Sequence, residues 1–213
     1  GTFINNKKIT KCDLTGVTDW GRTPTLPDVA FANCTALQEV TLPGDMKVIG
    51  GSAFSGCAAL TTVNLSQVIW INLNAFWGCT SLETLALDNV TAIGQEAFYG
   101  CTGLETLKIP KCTQFGNYII SGCKALTRIE ATAAGDFVDI SDGRSSIERT
   151  AVFHNRDSHY GDSAFNPAKC DLVLNADKKQ GGNATPKVFS DNEWLMMPNG
   201  QLMRWNSITF AQQ

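Results

Sequence analysis

Five of the eight cysteines recur at a fixed interval: Cys34, Cys57, Cys79, Cys101 and Cys123 are separated by 23, 22, 22 and 22 residues. A period of that length is one unit of a stacked repeat, and it takes precedence over disulfide or metal readings of the same residues. The surroundings recur as well. Ala30-Phe31, Ala53-Phe54, Ala75-Phe76 and Ala97-Phe98 precede the first four cysteines, and Ile119-Ile120 precedes the fifth. After the cysteines come Leu37, Leu60, Leu82, Leu104 and Leu126, then Val40, Val63, Leu85, Leu107 and Ile129, then Leu42, Leu65, Leu87, Ile109 and Ala131. The last two sets alternate at strand period. A coil this short cannot bury its own apolar face, so neighbouring coils must stack, with Phe, Cys and Leu in ladders through a common core.

Two further positions punctuate each coil. Asn33, Gly56, Gly78, Gly100 and Gly122 stand immediately before the cysteines, and Gly50, Asn72, Gly94 and Gly116 follow the Ile or Phe that precedes each Ala-Phe turn. Gly and Asn tolerate a left-handed backbone, so a sharp turn is expected at both places, the first closing a single helical turn begun at Ala-Phe.

Written out, the unit is Ala-Phe-x-Gly-Cys-x-x-Leu-x-x-Val-x-Leu, and over residues 26–131 it resembles the BspA-like leucine-rich repeats of bacterial cell-surface proteins. That resemblance implies a right-handed solenoid, mostly β, with a short parallel sheet on its concave side and single helical or 3-10 turns and loops on its convex side. It also implies export to the cell surface, a role in adhesion or protein binding, and no catalytic residues. Leu26-Pro27 and Ile119-Ile120 depart from the pattern near the two ends of the regular array. The expected organisation is one domain: an N-terminal cap over 1–25, five repeats over 26–131, a degenerate repeat with an insertion over 132–163, and a shortened last repeat with a C-terminal cap over 164–213. Ile9, Leu14, Val17 and Trp20 are the apolar groups of the first cap, and Trp194, Met196, Met197, Trp205, Ile208 and Phe210 those of the second. Ala164-Phe165 and Cys170-Asp171-Leu172-Val173-Leu174 restore the signature between them.

Charge fits this picture. Residues 26–131 carry 5 Lys or Arg and 8 Asp or Glu, leaving 24 of the 37 charges to the other 107 residues, because the inside of a coil has no room for ions. A net charge of -3 supplies no basic field, which argues against nucleic acid as a partner. No apolar run reaches the roughly 18 residues of a membrane span, and a chain beginning at Gly1 is expected to have lost any export signal or anchor.

The ladder cysteines are expected to be free, buried thiols: stacked equivalents point in parallel, and five leave one over. Cys12, Cys112 and Cys170 lie off the ladder and leave a disulfide open. No Cys-x-x-Cys pair suggests zinc. His154, Asp157, His159 and Asp162 are the right types for a transition metal but lack a paired spacing, and Asp139 to Gly143 fails the spacing of a calcium loop. Sequons begin at Asn33, Asn64, Asn89 and Asn183, the first two beside framework positions. Neither cofactor nor metal is expected.

Binding candidates fall in two groups. Strand positions between the inward residues place Glu39, Thr41, Thr62, Asn64, Thr84, Ala86, Thr106, Lys108, Arg128 and Glu130 on the concave face. Trp77 and Tyr99, two residues before the cysteines of adjacent coils, and Trp70 of the same middle coils form an aromatic group. The partner expected from the resemblance is a host surface or matrix protein. A glycan ligand, or a spacer with no ligand, are the alternatives.

Overall fold

The computed structural model describes residues 3–133, 138–139, 165–175, 193–196 and 202–211. The chain is a solenoid whose coils pair strand to strand in two rows. In the first row, β1 (Lys11–Asp13), β3 (Glu39–Thr41) and β5 (Thr62–Val63) form one parallel sheet. The strands β8 (Thr106–Lys108), β10 (Arg128–Ala131), β12 (Asp171–Asn175) and β15 (Ser207–Ala211) form another. The second row, β2 (Thr25–Leu26), β4 (Val48–Ile49), β6 (Trp70–Ile71), β7 (Ala92–Ile93), β9 (Gln114–Phe115) and β11 (Val138–Asp139), is a single six-stranded parallel sheet. An antiparallel pair, β13 (Glu193–Met196) and β14 (Leu202–Arg204), completes the strands.

Equivalent positions of successive coils stand opposite each other, Val40 against Val63 and Ile49 against Ile71, as the repeat requires. The Phe ladder is continuous: Phe31–Phe54, Phe54–Phe76 and Phe76–Phe98 have ring centroids 5.5, 5.2 and 5.7 Å apart and lie within 15° of parallel. The cysteine ladder runs beside it. Each thiol donates to the carbonyl of the Phe in the coil before, Cys57 to Phe31 at 3.1 Å, Cys79 to Phe54 at 3.2 Å, Cys101 to Phe76 and Cys123 to Phe98 at 3.1 Å. A small thiol is thus both core filler and donor linking coil to coil.

The same pattern reaches further toward the N-terminus than the regular spacing indicates. Phe3 stacks on Phe31 at 5.1 Å, Cys34 donates to the Phe3 carbonyl at 2.9 Å, and Lys11–Asp13 pairs with Glu39–Thr41 in register. Residues 3–14 therefore form another rung. At the other end Phe165 and Trp205 are buried and meet at 5.7 Å, and Ser207–Ala211 pairs with Asp171–Asn175.

The turns differ from expectation. The residues before the cysteines do adopt left-handed φ, from 58° at Asn33 to 75° at Gly122. The second left-handed place is not Gly50, Asn72, Gly94 or Gly116 but the residue just before each Ala-Phe or its equivalent: Val29, Ser52, Asn74, Glu96 and Tyr118, with φ between 52° and 58°. Gly94 and Gly116 serve another need: a Cβ on either would collide with backbone of the adjacent coil, at Leu73 and Gln95 respectively. From the left-handed residue onward the chain donates to its successor coil, Val29 to Gly51, Phe31 to Ala53 and Asn33 to Ser55, at 2.7–2.9 Å. These bonds form a third coil-to-coil ladder and hold Ala-Phe in plain turns. Where single helical or 3-10 turns were expected, a second sheet and these turns stand. Among the described residues the 3-10 helix is Pro167–Lys169.

Candidate binding surfaces

On the Thr-bearing row much of the polar surface is already engaged. Asn64 uses its whole amide on the coil before it, accepting from the Leu42 N–H at 2.6 Å and donating to the Leu42 carbonyl at 3.0 Å. Lys11 and Glu39 pair at 2.8 Å, and Arg128 and Glu130 at 2.7 Å. Asp171, opposite Arg128, accepts from Ser207 and Asn206, which holds its carboxyl below the usual range. Thr62, Thr84 and Lys108 remain exposed, and Thr106 is half-buried. One expected strand is missing. Residues 84–86 pair with neither Thr62–Val63 nor Thr106–Lys108, and Leu85 is only partly buried where its equivalents Val40, Val63, Leu107 and Ile129 are buried, Val63 being the most exposed of them at 9%.

The aromatic group resolves into two parts. Trp77 and Tyr99 stack face to face, 5.6 Å apart and 3° from parallel, but Tyr99 is buried at 8% exposure while Trp77 stays at 41%. Trp70 belongs to the second strand row, between Val48 and Ala92, and is 45% exposed. Its companions there were not evident from residue type: Ile69 is 41% and Leu73 51% exposed. The available signal was positional. Counting one coil back and forward, Ile69 stands where other coils have Lys47 and Thr91, and Leu73 where they have Gly51 and Gln95. A single coil thus carries Ile69, Trp70, Leu73 and Trp77 as exposed apolar groups, and of these equivalent rim positions Lys47 alone is charged.

The thiols are held neutral. All eight cysteines are free, Cys12, Cys112 and Cys170 included; burial pushes Cys57, Cys101, Cys112 and Cys170 up to about 12 and holds Cys79 and Cys123 well above the usual thiol value. Such groups are poor nucleophiles and poor metal ligands at neutral pH. His154, Asp157, His159, Asp162 and most of the Asp139 to Gly143 stretch lie outside the described residues. Among the described residues, no helix is long and apolar enough to cross a membrane.

The stacked coils, with their two rows of parallel strands and their Leu and Phe ladders, define a leucine-rich-repeat solenoid. The BspA type leucine rich repeat region matches residues 2–127 in six copies, and the chain belongs to that family. A leucine-rich repeat protein of T. pallidum shares the fold, with 22% identity and a TM-score of 0.52, over 67% of this chain and 71% of that one. The pneumococcal vaccine antigen PcpA is 18% identical, TM-score 0.48, over 74% of this chain and 36% of its own. A leucine-rich repeat protein from Bacteroides ovatus is 20% identical, TM-score 0.40, over 79% and 56%. No curated protein matches the chain. Bacterial leucine-rich repeat proteins of this kind are generally non-catalytic and engage other proteins.

Proposed function

We propose that the chain is a non-catalytic binding module of the bacterial cell surface, and that its ligand is a protein, a host surface or matrix protein being the class to test first. The observation that carries this reading is the apolar flank of one coil. Ile69, Trp70, Leu73 and Trp77 are large, more than two-fifths exposed, and fall within nine residues of one coil, whose Ile71, Ala75 and Phe76 supply the core. Large exposed side chains concentrated in one place are characteristic of contact sites, and Trp dominates the energetics of such contacts. The Thr-bearing row is the weaker candidate, because Asn64, Arg128 and Glu130 spend their polar groups within the chain. Arrays of purified matrix and host surface proteins and of glycans, probed with the intact chain, test the class of ligand. Binding to a protein supports the proposal. Binding confined to glycans would replace it, and no binding to either would favour a structural spacer.

A further inference from the structure

The two strand rows respond differently to the same coil. Across residues 62–108 the second row is unbroken, with Val48, Trp70, Ala92 and Gln114 opposite one another in turn. The first row is cut. Where the row is intact, residues at the start of each strand donate to a carbonyl of the coil before: Gln38 and Glu39 to Thr10, Thr61 and Thr62 to Gln38, Thr127 to Glu105 and Asp171 to Thr127. At residues 84–86 the strand pairing is missing: Ser81 donates to Ala58 and the entry bond from Glu105 to Glu83 is kept, but neither leads into a paired strand.

One side-chain link between coils is also absent at this place, although the β1–β3 and β8–β10 pairings hold without an amide there, through backbone bonds from Leu14 to Thr41 and from Ile109 to Glu130. Asn64 clamps Leu42, one residue past its own register position in the preceding coil. The equivalent residue one coil later is Ala86, whose methyl can offer Leu65 nothing. The core gives no compensating pull, since Leu85 is only partly buried.

We propose that this coil is a joint in the solenoid. The second strand row and the Phe stack act as a continuous spine, while the Thr-bearing row opens and closes between Val63 and Leu107, changing the breadth of that face. A solenoid whose repeats contact only their neighbours bends where one interface is weakest. The joint passes through the coil that carries Trp77, but it rests on the broken ladder alone and stands whatever the ligand is.

The test is a pair of spin labels at Thr62 and Thr106, on a Cys12→Ser background so that the remaining buried thiols stay unlabelled. Labels at Lys11 and Thr62, also two coils apart but in the unbroken sheet, give the reference. The expected result is a broader distance distribution across the joint than in the reference pair, narrowed when Ala86→Asn supplies the missing clamp. Amide exchange read on unlabelled protein should be at least 100-fold faster at Leu85 and Ala86 than at Leu107 and Ile129, and slowed by Ala86→Asn. Equal, narrow distributions in both pairs, or equal protection at Leu85 and Leu107, would overturn the proposal. So would a distribution that Ala86→Asn leaves unchanged while exchange at Leu85 slows, because the clamp would then have formed without closing a joint.

Discussion

The thiol of Cys79 donates to the carbonyl of Phe54, one coil away, across 3.2 Å of fully buried space. Burial, with its neighbours Cys101 and Cys57, raises its pKa well above the usual thiol value. Cys57, Cys101, Cys112 and Cys170 are raised to about 12, chiefly by burial. With the folded pKa above the unfolded one, the unfolded chain loses protons first as pH rises. Stability from these groups is therefore complete below about pH 9 and declines between pH 9 and 12. Each such thiol removes roughly 1.4 kcal/mol per pH unit in that window. Melting temperatures from pH 7 to 11 should be flat and then fall steeply, and Cys101→Val should make the fall shallower. In native buffer at pH 8, Cys12 alone should react with a thiol reagent, the other seven appearing on denaturation.

The Phe ladder should show its position in its energetics. Phe76 has a ring stacked on each side and is fully buried, so Phe76→Ala should cost about 3 to 5 kcal/mol. Phe3, partly buried at the end of the stack, should cost less than half as much. Chemical denaturation of the two variants checks the difference.

Two kinds of glycine should respond differently to alanine. Gly100 has φ of 68° with no neighbour closer than 3.8 Å to a new Cβ, so Gly100→Ala should cost only the left-handed penalty of about 1 to 2 kcal/mol. Gly94 lacks positive φ but a Cβ there would overlap Leu73 and Asn72 backbone, so Gly94→Ala should be the more damaging and should separate the coils. Conversely Val29, a β-branched residue at φ 52°, is strained, and Val29→Gly should stabilise by roughly 0.5 to 1 kcal/mol. Thermal melts of the three variants give the order.

What the sequence made legible was whatever repeats in residue type. Phe54, Cys57, Leu60 and Val63 announce their ladders because burial restricts each to a few side chains. The second strand row was hidden because Val48–Ile49 and Trp70–Ile71 are two residues long and read as connections. The left-handed residues Ser52, Glu96 and Tyr118 share no chemistry; what they share is a place where backbone N–H groups must turn toward the next coil. The N-terminal rung escaped notice because Phe3 to Phe31 spans 28 residues, the excess falling after Leu14. The break at 84–86 was invisible because Leu85 fits the repeat, and Thr84 and Ala86 occupy positions where paired strands carry equally varied residues such as Glu39, Thr41, Lys108 and Glu130. The proposed contact surface was half legible: Trp70 and Trp77 stand out by type, whereas Ile69 and Leu73 become conspicuous only once the structure shows them exposed.

The central claim is that a protein ligand meets the apolar flank of the middle coil. The most direct measurement is the affinity of a protein ligand found on the array for three forms of the chain: unaltered, with Leu73→Ser and Trp77→Ser together, and with Thr62→Arg and Thr84→Arg together on the other row. Each form is first shown by its melting curve to be folded. The expected result is a loss of at least 30-fold for the flank variant, in keeping with about 2 kcal/mol or more for a Trp at the centre of a contact, and less than threefold change for the Thr-row variant. Full affinity in the flank variant with loss in the Thr-row variant would contradict the account and move the site to the Thr-bearing sheet.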